Sequence, residues 1–152
     1  MKLTEKEKMR EIKFRGEILN ANCWVYGFYF YSEKENKHYI IGESIDYGYQ
    51  KIEIDPKTKG QFIGLHDKTG AEIYEGDIVK MHYFFDNFDL ITLGAYEDEK
   101  EIIGVVGIDE MGTYTVCDDD KYYWLNYMEY PQEELEIIGN IYDNPELLKK
   151  QE

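Results

Sequence analysis

Gly60-Gln61-Phe62-Ile63-Gly64-Leu65-His66-Asp67-Lys68-Thr69-Gly70-Ala71-Glu72-Ile73-Tyr74-Glu75-Gly76-Asp77-Ile78-Val79 divides its apolar residues into short runs separated by glycine turns. Runs that short, bounded by Gly and Asp, favour strands over helices. They predict a strand over 61–63, a turn at Asp67-Lys68-Thr69-Gly70, and a tight turn at Gly76-Asp77 opening a strand to about Tyr83. No triad of residues within the stretch is poised for chemistry. The stretch specifies a fold and not a reaction.

Toward the N-terminus, Glu11-Ile12-Lys13-Phe14-Arg15 alternates, placing Ile12 and Phe14 on one face of a strand that Gly16 would end. The run Cys23 to Tyr31 is strongly β-prone, and Gly27 inside it suggests a bulge or a close backbone crossing. A polar turn over 32–37 leads to His38-Tyr39-Ile40-Ile41, so 23–41 reads as a hairpin. A strand from Tyr49 to Ile54 ends at Asp55-Pro56, because proline cannot donate to a ladder. Toward the C-terminus, residues 84–100 mix aromatics with charge and read as a long loop. Ile102–Ile108 and Thr113–Cys117 flank Asp109-Glu110-Met111-Gly112, a hairpin connection with Gly112 left-handed. A turn over 118–121, an aromatic strand over 122–128 and a strand over 135–142 follow. Residues 144–150 read as a short helix, with Asn144 as cap, Pro145 in the first position and lysines near the end.

At 152 residues the chain has the size of one ordinary domain. Its 15 tyrosines and 7 phenylalanines suit pleated, half-buried surfaces. The expectation is a mainly β fold, a β-rich α+β arrangement with an antiparallel, SH3-like or other small barrel-like core and the short C-terminal helix. Residues 1–9 read as an N-terminal tail and 10–152 as a single domain. The charged start lacks the apolar segment of a signal peptide, and no run approaches the roughly 18 apolar residues of a membrane span. A cytoplasmic protein without membrane contact is expected. Cys23 and Cys117 are then free thiols, both expected in the core because they fall in apolar strand patterns. There is no C-x-x-C, and His38, His66 and His82 share no ligand spacing, so no zinc site is expected.

The net charge of −15 is concentrated in the second half: residues 1–85 hold 14 acidic and 13 basic side chains, residues 86–152 hold 18 and 4. No segment concentrates the Lys and Arg that phosphate neutralisation requires, which argues against direct DNA or RNA binding.

Three separated pieces, Arg10–Gly16 with Trp24-Val25-Tyr26-Gly27, Gly60–Lys68 through Glu75–Val79, and Ile138–Leu148, together resemble the YopX-like proteins of phages and prophages in Gram-positive bacteria. The resemblance runs from Arg10 to Leu148 and departs at 81–101, which is longer and more aromatic than usual. It implies a small β-rich phage accessory protein from a family without an established biochemical activity, and it supplies no catalytic or ligand residues.

Other constellations favour structure over chemistry. Asp118-Asp119-Asp120 could offer oxygens to a hard cation, but the spacing and glycine of a calcium loop are missing, so a solvated turn is the better reading. His66-Asp67 could be a base and its orienter, yet neighbours in a turn rarely face each other, and Ser32 and Ser44 are the only serines available as nucleophiles. Trp24, Tyr26, Phe28 and Phe30 alternate with Val25, Tyr29 and Tyr31, so a second layer or another subunit must cover one ring-rich face. No phosphate-binding glycine motif occurs. The expected protein is a non-enzymatic phage accessory protein, without catalytic, cofactor or metal site, acting by protein contact. A homo-oligomer is expected from the ring-rich strands and the aromatic segment Tyr83–Phe88, with a host or phage protein as a further partner. One alternative is an acidic nucleic-acid mimic that occupies a basic groove; another is a small-ligand binder or enzyme whose site is assembled from distant residues.

Overall fold

A computed structural model describes residues 11–44, 47–125 and 135–149. The N-terminal tail and the end of the expected strand 122–128 lie outside them. The described residues form antiparallel sheets with almost no helix. Two compact units are present, 1–64 and 65–152.

In the first unit, β1 (Phe14–Glu17), β2 (Trp24–Ser32), β3 (Lys37–Ser44), β4 (Gly48–Glu53) and most of β5 (Gly60–His66) are ordered β4-β3-β2-β1-β5. The expected 23–41 hairpin is present, with Phe28 opposite Ile41 and Ser32 opposite Lys37. Its core is Val25, Ile40 and Ile54, against which Phe14, Ile18, Tyr29 and Ile52 pack. After β4, Asp55 accepts from the Lys57 amide and Pro56–Thr58 makes a single 3-10 turn, the stop that proline implies. Gly16 does not end β1: it lies inside the strand, where a Cβ would meet Ile54 Cδ1 at 2.6 Å. Gly27 marks the expected crossing. β2 pairs with β1 up to Gly27 and with β3 from Phe28, and a Cβ on Gly27 would sit 2.0 Å from the Ile41 carbonyl oxygen.

The second unit holds the end of β5, β6 (Glu72–Tyr74), β7 (Asp77–Asp89), β8 (Gly94–Ile108), β9 (Tyr114–Asp118), β10 (Lys121–Trp124) and β11 (Leu135–Asn140). Five of them form a sheet ordered β10-β9-β8-β7-β11. Ile78, Val79, Met81, Ile102, Val106, Val116 and Leu135 are buried. The turns behave as their residues require: Gly70, Gly76 and Gly112 have φ of 87°, 84° and 78°. Asp77 Oδ2 accepts from the Tyr74 amide at 2.8 Å and closes the turn before β7.

Several expectations need correction. Among the described residues neither sheet closes: β4, β6, β10 and β11 have one neighbour each, so no closed barrel is formed. The C-terminal helix over 144–150 is a 3-10 turn at Pro145–Leu148. Asn144 does not cap it, because its Oδ1 lies near the β11 backbone, 3.4 Å from the Asn140 amide. The long loop over 84–100 is instead the outer part of a β7–β8 hairpin. Neither cysteine is a core residue. Cys23 is exposed, because it closes the turn before β2, its carbonyl accepting from the Ile18 amide at 2.8 Å. Cys117 is half-buried because its neighbour Val116 takes the inward position of β9.

Candidate functional site

β7 and β8 pair without interruption from Ile78 opposite Val105 to Asp89 opposite Gly94. Their neighbours stop early: β11 reaches Met81 on β7, and β9 reaches Val105 on β8. Beyond those points, no strand among the described residues pairs with the hairpin. Residues 82–101 therefore form an arm, and eight residues per strand at about 3.4 Å each give it a length of about 27 Å.

The tip is built by local chemistry. Asp89 Oδ1 accepts from the amides of Ile91 at 2.7 Å and Thr92 at 3.3 Å, and Leu93 takes φ of 53° to complete the turn. Those two amides hold the Asp89 carboxyl below the usual carboxylate range. The turn presents apolar side chains to solvent: Leu90 is 81% exposed, Ile91 93% and Leu93 74%. Phe84, Phe85, Phe88 and Tyr96 on the arm are exposed as well. Near the root the rings are anchored, with Tyr83 4.9 Å from Tyr123 of β10, edge to face. So much exposed apolar surface makes the arm the candidate interaction surface.

The arm is also acidic, carrying Asp86, Asp89, Glu97, Asp98, Glu99 and Glu101 against Lys100. Lys80 Nζ meets Glu101 at 2.9 Å at the root, and His82 lies 3.8 Å from Glu99 and 3.9 Å from Glu101. Farther out, Asp86 stands directly opposite Glu97, a like-charged pair that weakens the hairpin. Beside the root runs a groove of about 720 Å³ lined by Ile103, Leu147 and Leu148 together with Lys100, Lys149, Glu101, Asp118 and Glu146.

Of the residues singled out in the sequence, the aromatic segment Tyr83–Phe88 lies on the arm, and among the described residues the others do not assemble into a site. Asp118, Asp119 and Asp120 form the β9–β10 turn, with Asp119 at φ of 54°. Among the described residues, no group of three or more His, Cys, Asp or Glu side chains is placed to hold a metal ion. Asp67 serves the fold. Its Oδ1 accepts from the Thr69 amide and hydroxyl and the Ala71 amide, and its Oδ2 from the Ile137 amide of β11. Ser32 Oγ accepts from the Glu35 amide in the β2–β3 turn, and Ser44 is the last residue of β3. Cys117 donates its S–H to the Asp119 carbonyl at 3.0 Å. The ring-rich β2 stays partly uncovered, with Tyr26 44% and Phe28 64% exposed. The arm tip is not among the residues that sequence singles out. Its signal is Asp89 followed by the apolar Leu90, Ile91 and Leu93 around Thr92, then Gly94, a turn between runs of equal length.

No helix among the described residues is long and apolar enough to cross a membrane. The family model described as YopX protein matches residues 13–149. A search of curated proteins found no match.

Proposed function

Since the chain belongs to the YopX protein family, with a match through both units, we propose that it is one family domain acting as a non-enzymatic, phage-type accessory protein of the host cytoplasm. It works by protein contact, and its first contact is a second copy of itself through the β7–β8 arm. The observation that carries this is the exposed tip, Leu90, Ile91 and Leu93, at the end of a hairpin that its flanking strands leave behind. With Phe88 these side chains offer on the order of 400 Å² of apolar surface, roughly half of what each partner gives to a stable interface. Two arms packed antiparallel supply the rest. Each tip then meets the groove beside the other arm's root, where Ile103, Leu147 and Leu148 are partly exposed. A two-fold pairing of this kind closes on itself.

Because both arms are acidic, screening favours their association, so the dimer strengthens as salt rises and the Debye length shrinks below about 8 Å. Light scattering at low and high salt tests this on the intact chain. The expected result is a mass above 18.1 kDa that grows with salt and returns to the monomer in the Leu90→Ser, Ile91→Ser, Leu93→Ser variant. A wild-type monomer at every salt concentration overturns it.

The Asp86–Glu97 pair favours a second reading. A like-charged pair kept at a cost in hairpin stability suits an arm that occupies a basic groove on a DNA-binding protein. That contact would weaken as salt rises, the opposite sign to self-association.

A further inference from the structure

The first unit carries a cleft of about 370 Å³ where β2 changes partners. The backbone is low there because Gly27 and Gly42 let β2 and β3 approach: a Cβ on Gly42 would meet Val25 Cγ2 at 2.8 Å, as one on Gly27 would meet the Ile41 carbonyl. The rings of Tyr26, Phe28 and Tyr49 line the cleft, and Phe28 and Tyr49 remain 64% and 70% exposed. Glu11 and Glu43 add two carboxylates, with Lys13 the one cation on the wall among the described residues.

The same sheet face shows what such a surface holds. Tyr39, Ile41 and Glu43 alternate along β3 and so share a face. At Tyr39, Lys51 Nζ sits 4.4 Å above the ring and 3.2 Å from the Glu35 carboxylate. Elsewhere in the unit Arg15 lies over Trp24 and Lys59 over Tyr29. Farther along this face, Ile41 pairs with Phe28, and Glu43 with Tyr49. That repeats the combination of ring and carboxylate, now opening into a cavity. We propose that this cleft binds the guanidinium or ammonium group of an arginine or lysine side chain presented by a basic segment of a protein partner. The rings supply the quadrupole, the carboxylates the counter-charge, and the cavity admits one extended side chain.

The inference extends the protein-contact reading, and its test is independent of the arm because it reads a different unit by a different observable. The probe is a capped Gly-Ser-Arg-Ser-Gly peptide titrated into the intact chain, followed by the ring signals of Tyr26, Phe28 and Tyr49 in NMR spectra. Saturable shifts of those signals are expected, with binding about two- to fivefold weaker when citrulline replaces arginine, since loss of a cation–π contact at an exposed ring is worth about that factor. Phe28→Ala and, independently, Glu43→Gln should each weaken binding several-fold while the remaining spectrum keeps the native pattern. The proposal is overturned if citrulline binds equally, if the ring signals do not respond, or if Glu43→Gln weakens binding and Phe28→Ala does not. It is likewise overturned if the same signals shift with protein concentration alone, which would give the cleft to a second copy. Unchanged binding of the free arginine amide relative to the peptide would also overturn it, because a segment of a partner must add contacts.

Discussion

Replacing Asp67 by asparagine perturbs a carboxylate of the second unit that accepts four hydrogen bonds. The residue is 6% exposed, and its oxygens accept from the Thr69 amide at 2.8 Å, the Thr69 hydroxyl at 2.6 Å, the Ala71 amide at 3.0 Å and the Ile137 amide at 3.2 Å. It fastens the β5–β6 turn to β11. Asparagine can keep its oxygen toward Thr69 and Ala71 but then turns an NH₂ toward the Ile137 amide, donor against donor. One charge-assisted bond is lost and one donor is left unpaired, together worth about 3 kcal/mol. In a chain of this size that lowers the melting temperature by roughly 6–12 °C. Burial pushes the Asp67 carboxyl up, but the bonds from Thr69, Ile137 and Ala71 outweigh it and hold the folded pKa below the ordinary value. The unfolded chain thus takes up this proton first as pH falls. The stabilisation is complete above an unfolded pKa of about 3.9 and disappears as pH drops through the folded value. Urea titrations of wild type and Asp67→Asn at pH 7 and pH 3 measure both effects. A difference under about 0.5 kcal/mol at pH 7, or one that stays the same at pH 3, refutes the reasoning.

Gly27→Ala should cost about 3 kcal/mol or more in a urea titration, because its Cβ meets a backbone oxygen that cannot move aside. Gly112→Ala should cost only about 1 kcal/mol, since its φ of 78° is disfavoured for alanine but nothing lies within 4 Å of the new Cβ. Asp86→Asn should raise the protection of arm amides from hydrogen exchange by relieving the pair with Glu97, and unchanged protection would remove that pair as a source of strain. If the arm docks on a second copy, the same substitution should tighten self-association at low salt, read from the light-scattering mass.

The elements legible in the sequence are those whose cause is local. The 23–41 hairpin announces itself by a polar turn between β-prone runs, and the 102–117 hairpin by Asp109 and Gly112. In the structure Asp109 Oδ1 accepts from the Met111 and Thr113 amides, and Gly112 has positive φ. The arm is illegible because period-two alternation arises only where one face is buried, and both its faces are open enough to mix Asp86 and Asn87 with Phe85 and Phe88. The 144–150 segment shows the converse error. Asn144-Pro145 is a sound helix start, but Gly139 brings the end of β11 so near Asn144 that a Cβ there would lie 2.6 Å from its Oδ1, and the capping atom is engaged. The cleft needs Phe28, Ile41, Glu43 and Tyr49 brought side by side by strand register, which composition does not encode. The rings on β2 are visible in the sequence, and their carboxylate neighbours are not.

An arm that outruns its flanking strands leaves both outer edges of its ladder with backbone donors and acceptors facing outward among the described residues. Such edges recruit strands from any chain, and rings and β-prone residues along them make the recruitment stronger. Asp86, Glu97, Asp98 and Glu99 then have a second consequence, as gatekeepers. If the arm docks on a second copy, their mutual repulsion opposes edge-to-edge addition into an endless sheet and leaves the apolar tip for one terminated contact. Neutralising these residues is then expected to turn the open edges of the arm into a seed for fibrils.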